Sequence, residues 1–211
     1  HPAFIHLRLH SEYSILDSTI RIAEVVAKAR ADHMPALALT DLSNLFGLVK
    51  FYQSAHKNGI KPILGCDVWI TNEADRNKPI RLLLLCQSHA GYLLLSRLLS
   101  RAYRENQHHG RAEIKEAWLN TDEWGSQGLI ALSGARLGDI GLCILQNNPQ
   151  QAEVLAQKWA DLFPDRFYIE IQRDGHTNEA MLVQQSLALA QKFNLPVVAT
   201  QAIQFLNPED H

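Results

Sequence analysis

The sequence predicts an α/β fold, because short apolar segments typical of buried strands alternate with longer segments that have helical periodicity. Strands are predicted at residues 36–40 and 63–70, on either side of a helix at 45–57 that Gly59 ends. Helices between successive strands indicate parallel pairing, and a series of this length forms either a doubly wound sheet or a barrel. The nucleotide-binding glycine motifs GxGxxG and GxxxxGK[ST] are absent from the sequence.

The same alternation extends over the rest of the chain. Residues 4–10 alternate strictly between apolar and polar side chains, which predicts a strand whose polar face carries His6, Arg8 and His10. Apolar residues at helical spacing predict the first helix at 19–31, with Ser18 as its cap. Further strands are predicted at 81–86, 129–133, 167–171 and 197–200, and further helices at 91–104, 149–162 and 178–193, which brings the total to about seven strands.

Composition indicates one soluble domain over residues 1–211. The chain has 211 residues, of which 46% are hydrophobic, and this is enough for one sizeable core. A net charge of -2 without a basic segment argues against strong electrostatic binding of nucleic acid. Three cysteines without CxxC spacing fit reduced thiols, and no segment resembles a signal peptide or a membrane span. We therefore expect a cytoplasmic protein without membrane contact.

Polar residues at the predicted strand ends are the candidates for chemistry. His10, Asp41 and Asp67 end the first three strands, and an imidazole with two carboxylates suits a divalent metal ion. The alternative is that these residues only cap the following helices, as Asp41 could. Arg8 shares a face with His10 but cannot ligate a metal, so it would pair with Asp41 or Asp67. The residues thus resemble a site whose ion has been replaced.

Several segments carry a family resemblance. HLRLHSEYSILDS at 6–18 resembles the opening motif of PHP domains, HxHTxxSxLDG, and TDLSNLFGLVKFY and GIKPILG are similar to motifs of the polymerase branch of that family. The chain is identified as a member of the amino-terminal PHP domains of bacterial DNA polymerase III alpha subunits, which are part of much longer chains. The similarity continues through MPALALTDLSNLFGLVKFY (34–52), GIKPILGCDVWI (59–70), GLIALSGARLGDIG (128–141), FPDRFYIEIQRDG (163–175) and LPVVATQAIQF (195–205).

The resemblance implies a distorted seven-stranded βα barrel, similar to a TIM barrel, in which nine strand-end side chains hold up to three zinc or manganese ions. Most of those positions are altered here, and only His10, Asp17 and Asp67 keep ligand chemistry, with His6 and Asp41 as possible helpers. We expect no metal in this domain, or at most one on those three residues. The nine positions are Arg8, His10, Asp17, Leu42, Asp67, Arg81, Ala135, Ala202 and Gln204.

The resemblance also implies a function. Domains with such replacements, found in proteobacterial alpha subunits, support the polymerase and bind the separate proofreading exonuclease, the epsilon subunit. The parent protein is a magnesium-dependent DNA-directed DNA polymerase, a nucleotidyltransferase of DNA replication, and reaches DNA through its other domains. In this hypothesis Arg8 and Arg81 pair with Asp17, Asp41 or Asp67 in place of metal. The alternatives are a weak metal-dependent phosphoesterase or pyrophosphatase and a domain that binds DNA directly.

Overall fold

A computed structural model describes residues 4–15, 17–121 and 125–205, and the chain divides into two compact units. The first unit comprises His1–Asp67 with Gln201–His211, and the second comprises Val68–Thr200. Within the described ranges, no helix has both the length and the apolar character needed to cross a bilayer.

Over its described residues, 4–15, 17–67 and 201–205, the first unit contains two helices and two parallel strands. These are α1 (Ile22–Ala31), β1 (Ala36–Leu39), α2 (Leu48–Lys57) and the first part of β2 (Lys61–Ile70), whose last three residues belong to the second unit. The β1–β2 register runs from Ala36 opposite Lys61 to Leu39 opposite Leu64. Both helices bury an apolar face, and Gly59 adopts the left-handed φ of +72° that ends α2, as predicted.

The predicted strand at residues 4–10 is wrong in its extent. The segment forms only an isolated bridge, between Leu9 and Ile203. A side chain takes the place of a backbone carbonyl in the hydrogen bonding between this segment and β1. The Leu9 amide donates to the Thr40 hydroxyl at 2.9 Å. The Thr40 amide in turn donates to the Leu9 carbonyl at 2.9 Å. The segment therefore lies beside the end of β1 without forming a regular strand.

The predicted cap at Ser18 is also wrong. Helix α1 begins after Arg21, which makes no side-chain cap hydrogen bond. The Ser18 hydroxyl instead donates to the His10 carbonyl at 2.7 Å and accepts from the Ile20 amide at 3.1 Å. It therefore fastens the loop before the helix to the segment that carries His10.

The second unit contains the remaining strands and helices. Among the described residues of this unit, the strands lie side by side in the order β4-β5-β2-β3-β6-β7-β8, to which β2 contributes its last three residues. Two short 3₁₀ helices lie at Glu116–Asn120 and Ala135–Leu137. The elements after β2 are β3 (Ile80–Cys86), α3 (His89–Glu105), β4 (Gln107–His108), β5 (Arg111–Ile114), β6 (Leu129–Leu132), α4 (Asp139–Leu145), α5 (Pro149–Leu162), β7 (Phe167–Gln172), α6 (Glu179–Lys192) and β8 (Val197–Thr200).

The α/β prediction is confirmed, but the pairing is not parallel throughout. Strands β3 and β6 pair antiparallel, as do β4 and β5. The last two form a hairpin that the sequence analysis did not predict, in which His109 and Gly110 have φ values of 48° and 78°. This hairpin and a 3₁₀ helix lie between β3 and β6, where a simple βα repeat would have only one helix. The antiparallel pairing places the start of β3 beside the end of β6.

Candidate functional site

A buried ion pair joins the segment before α1 to β2. Asp67 lies within β2, three residues before its last residue, because Trp69 and Ile70 continue the strand by pairing with β5. The prediction that Asp67 ends a strand is therefore wrong. A guanidinium nitrogen of Arg8 contacts Oδ2 of Asp67, and both side chains are almost completely buried. His10 Nε2 lies 3.1 Å from the same carboxylate oxygen, and His10 Nδ1 lies 3.5 Å from Oδ2 of Asp17. The structure thus brings four of the nine predicted positions into one chain of polar contacts, Arg8–Asp67–His10–Asp17.

Backbone contacts hold Asp67 in place. Its amide donates to the Asp41 carbonyl at 3.1 Å, and its carbonyl accepts from the Ser43 amide at 2.8 Å. These contacts flank an isolated parallel bridge between Leu42 and Asp67. The segment after β1 therefore continues beside β2, and this pairing aims the Asp67 carboxylate at the segment that carries Arg8 and His10.

Asp41 has different partners from those considered in the sequence analysis. Its buried carboxylate accepts hydrogen bonds from the Ser11 amide at 2.6 Å and from the hydroxyls of Ser11 and Ser14 at 2.8 and 2.7 Å. The Ser14 hydroxyl also accepts from the Leu42 amide at 2.9 Å. These hydrogen bonds stabilise the buried Asp41 carboxylate without the arginine partner or the helix-capping role that the sequence analysis considered. Ser11 and Ser14 lie in the segment at 6–18 that carries the family resemblance. They are the sequence feature from which this environment of Asp41 could have been predicted.

Three other positions of the first unit lack ligand groups or use only their backbone. Leu42 and Gln204 are half-buried, and Ala202 is exposed. The Gln204 carbonyl accepts from the Ser18 hydroxyl at 2.9 Å. An alkyl side chain offers no electron pair to a metal, so Leu42 and Ala202 cannot act as ligands.

His6, the other predicted helper, lies in a different setting. Its ring is half-buried and packs edge-on to Phe4, with 4.8 Å between the ring centroids. Burial lowers the pKa of His6, and the charge of Asp32 partly opposes this shift. The role of His6 as a possible helper of the site stays a prediction.

The two predicted positions of the second unit are neighbours there. The guanidinium of Arg81, at the start of β3, lies 4.5 Å from the centre of the Trp69 ring. Ala135 begins the 3₁₀ helix after β6, next to Gly134, whose φ of +81° lets the backbone pass close to the Arg81 carbonyl. The predicted pairing of Arg81 with an acid of the metal site stays a prediction.

The residues present do not fit a divalent metal ion in this arrangement. Over the ranges 4–15, 17–121 and 125–205, no group of three or more His, Cys, Asp or Glu is arranged to hold one. The Asp67 oxygen that would face an ion already contacts Arg8 and His10. A guanidinium stays protonated and so repels a cation. The cluster can stabilise the fold, but it has no evident means of activating water.

The fold and this cluster define a class of protein. The PHP domain family matches residues 6–174, and the chain belongs to this family. Similar proteins include the DNA polymerase III alpha subunits of Pseudomonas fluorescens, 41% identical over 208 residues, and of Neisseria meningitidis serogroup A, 45% identical over 213 residues. The alpha subunit of Escherichia coli K12 is 38% identical over 209 residues. Each alignment covers 99% of this chain but only 18% of the relative.

Solved structures share the fold at low sequence identity. A protein assigned as a metal-dependent phosphoesterase from Bifidobacterium adolescentis superposes with a TM-score of 0.60 at 11% identity, covering 99% of this chain and 90% of that one. An amidohydrolase from Chromobacterium violaceum with bound sulfate and no metal gives 0.59 at 14% identity, with 96% and 88% covered. These likenesses confirm the predicted PHP-like fold.

Removing one partner of the Arg8–Asp67 pair should be costly. We expect Arg8→Ala to lower the free energy of unfolding by about 3–5 kcal/mol, because it leaves a buried carboxylate without its cation. Arg8→Met combined with Asp67→Leu should cost much less than the two single changes together. Urea unfolding in EDTA measures each value.

The exposed ion pair Arg136–Asp174, with nitrogen and oxygen 3.3 Å apart, is the matched control. Arg136→Ala should cost no more than about 1 kcal/mol, because solvent screens the pair. An Arg8→Ala variant as stable as Arg136→Ala would contradict the role given to the buried pair.

Proposed function

We propose that this chain is the amino-terminal PHP domain of a bacterial replicative DNA polymerase III alpha subunit, in which it acts as a scaffold rather than as a phosphoesterase. The observation that carries this proposal is the guanidinium of Arg8 on the buried Asp67 carboxylate. The similarity to alpha subunits over 99% of the chain supports the parent assigned to it. In this proposal the domain works in the cytoplasm as part of the polymerase III holoenzyme.

The chemistry of the pair supports a structural role. A bound divalent ion would stabilise a buried carboxylate and would also lower the pKa of a water molecule into the range useful for hydrolysis. A guanidinium supplies the positive charge and hydrogen-bond donors, but it has no vacant coordination position for water. The replacement therefore keeps the stabilising charge and removes the means of hydrolysis. DNA synthesis would then belong to the rest of the polymerase chain, with its own magnesium ions.

A polymerase whose PHP domain cannot hydrolyse phosphodiesters needs another source of proofreading. We infer that the separate exonuclease (epsilon) subunit supplies it and that this domain is its docking site. The chain's net charge of -2 argues against direct DNA binding as its main task, so contact with DNA would come through the parent polymerase.

One observation favours a second function, a weak metal-dependent phosphoesterase or pyrophosphatase. His10 lies between the carboxylates of Asp17 and Asp67, which are three side chains of the ligand type. This alternative requires Arg8 to leave Asp67 when a metal ion binds. Hydrolysis of bis-p-nitrophenyl phosphate or pyrophosphate that needs manganese, and that Asp67→Ala abolishes, would establish it.

Restoring ligand residues should restore metal affinity. The double variant Arg8→His with Leu42→His removes the internal cation and adds two imidazoles, so we expect it to bind zinc more tightly than the unmodified chain. Isothermal titration with zinc chloride measures the difference. A second double variant, Val154→His with Leu187→His, adds two histidines at exposed positions on separate helices and serves as the control. Equal zinc binding by both double variants would argue against a vestigial site around Asp67.

The scaffold proposal also predicts a complex. The 211-residue chain should co-elute with purified epsilon subunit in size-exclusion chromatography. The full-length alpha subunit is the positive control. Co-elution of epsilon with the full-length subunit but not with this chain would place the exonuclease contact elsewhere in the polymerase.

A further inference from the structure

Helix α2 is apolar on two faces. One face packs into the first unit through Leu48, Phe51 and Ala55, all of which are buried. The other face carries Val49, 67% exposed, and Tyr52, 48% exposed, and the turn just before the helix carries Phe46, 72% exposed. We call Phe46, Val49 and Tyr52 the α2 stripe. The first unit already has its core from the other face, so the stripe serves no packing within that unit.

The start of the stripe is held rigidly. The Phe46 amide donates to the Asn44 side chain at 3.1 Å, and the Asn44 side-chain amide donates to the Tyr13 carbonyl at 3.0 Å. Gly47 packs so closely that a Cβ there would lie 2.8 Å from Ile22 and 2.9 Å from the Tyr13 ring. These contacts fix the turn and the first residues of the helix. A pre-ordered surface loses little entropy when a partner covers it.

The loop before α1 is attached to α2 by an ion pair that engages the lysine within the stripe's segment. Lys50 donates to Glu12 at 2.7 Å, which fastens the loop at 11–15 to α2. Ile15, on the same loop, is 85% exposed. Because Lys50 is engaged by Glu12, its charge is already balanced within the chain and is less available to a nucleic acid phosphate. The chemistry of the α2 stripe suits an apolar occupant.

The area of this surface favours an occupant that is covalently attached. With side chains of about 150–250 Å² and these exposures, the α2 stripe offers on the order of 400 Å². A stable complex between independent chains buries about 800 Å² on each partner. A contact within one chain needs less, since the effective concentration of a tethered surface reaches about the millimolar range. Both a second copy of this chain and a separate subunit are therefore less suitable.

We propose that the α2 stripe docks against an apolar surface of the remaining part of the polymerase chain. This inference rests on the proposed function: the chain spans only 18% of the relatives it matches, so a parent of their length would have ample further polypeptide to cover the stripe. The contact would place aliphatic or aromatic side chains of the polymerase portion against Val49 and Tyr52. The domain would then support the polymerase through α2, without using the cluster around Asp67.

Cysteine labelling tests the docking directly. Val49→Cys is placed in the 211-residue chain and in the full-length alpha subunit, and its reaction with a maleimide is followed by peptide mass spectrometry. We expect labelling to be about tenfold slower in the full-length subunit, because docking covers the site. Val154→Cys on α5, where the native valine is 61% exposed, is the matched control, and its rate should be similar in both chains.

A second pair of variants separates docking from a general loss of reactivity. In the full-length subunit, Val49→Asp should raise the labelling rate of Tyr52→Cys to that of the isolated chain, because a carboxylate does not enter an apolar contact. Val154→Asp should leave Tyr52→Cys protected. Failure of Val49→Asp to release the protection would overturn the docking.

The remaining outcomes are equally distinct. Equal rates for Val49→Cys in both chains, protection that grows with the concentration of the isolated chain, or protection that needs an added subunit would each overturn the inference. Primer extension by the full-length protein is measured first. Lack of DNA synthesis would refute the proposed function and the inference with it, whereas equal labelling in an active polymerase would refute the inference alone.

Discussion

The first unit depends on one constraint, the burial of the Asp67 carboxylate. An isolated ionised carboxylate in the interior costs several kcal/mol, so the fold must supply a cation or shift the group to its neutral form. Arg8 supplies the cation, and His10 contacts the same oxygen at 3.1 Å. Since Arg8 lies on the amino-terminal segment and Asp67 on β2, the pair joins residues 59 positions apart in sequence. A contact between residues so far apart in sequence fixes the position of the amino-terminal segment against β2.

Two buried carboxylates in this unit are stabilised in different ways. Asp67 contacts charged or chargeable nitrogens, whereas Asp41 accepts from a backbone amide and two hydroxyls. The second arrangement needs no cation, because several hydrogen bonds can satisfy an ionised carboxylate. Together they keep the polar side chains around Asp41 and Asp67 closely packed in the interior of this unit. The vestigial site is thus a polar part of the core.

The sequence predicted the parts of the fold that depend on local pattern. Parallel pairing of β1 with β2 and the end of α2 at Gly59 followed from apolar periodicity and turn chemistry. The antiparallel pairing of β3 with β6 could not be predicted this way, because strand direction depends on which distant strand becomes the neighbour. The strand before His10 is incomplete because the Thr40 hydroxyl accepts the hydrogen bond of the Leu9 amide. The alternation of apolar and polar residues does not reveal that a side chain competes with a carbonyl for a backbone amide.

The site was predictable in its chemistry but not in its pairing. Arginine at position 8 excluded a metal ligand there, and its pairing with Asp41 or Asp67 was expected; the structure shows that Asp67 is the partner. The choice depends on the bridge between Leu42 and Asp67, which only the folded chain reveals. The exposed face of α2 was also missed, because its apolar residues and those of the buried face lie within one continuous helical segment.

The central claim is that Arg8 has taken the place of a metal ion on Asp67. The most direct measurement is the divalent metal content of the purified, tag-free chain, determined by mass spectrometry after equilibration with zinc and manganese and removal of free ions. The account predicts far less than one ion per chain. One or more tightly held ions per chain that Asp67→Ala removes would contradict it, because a guanidinium on Asp67 repels a divalent cation.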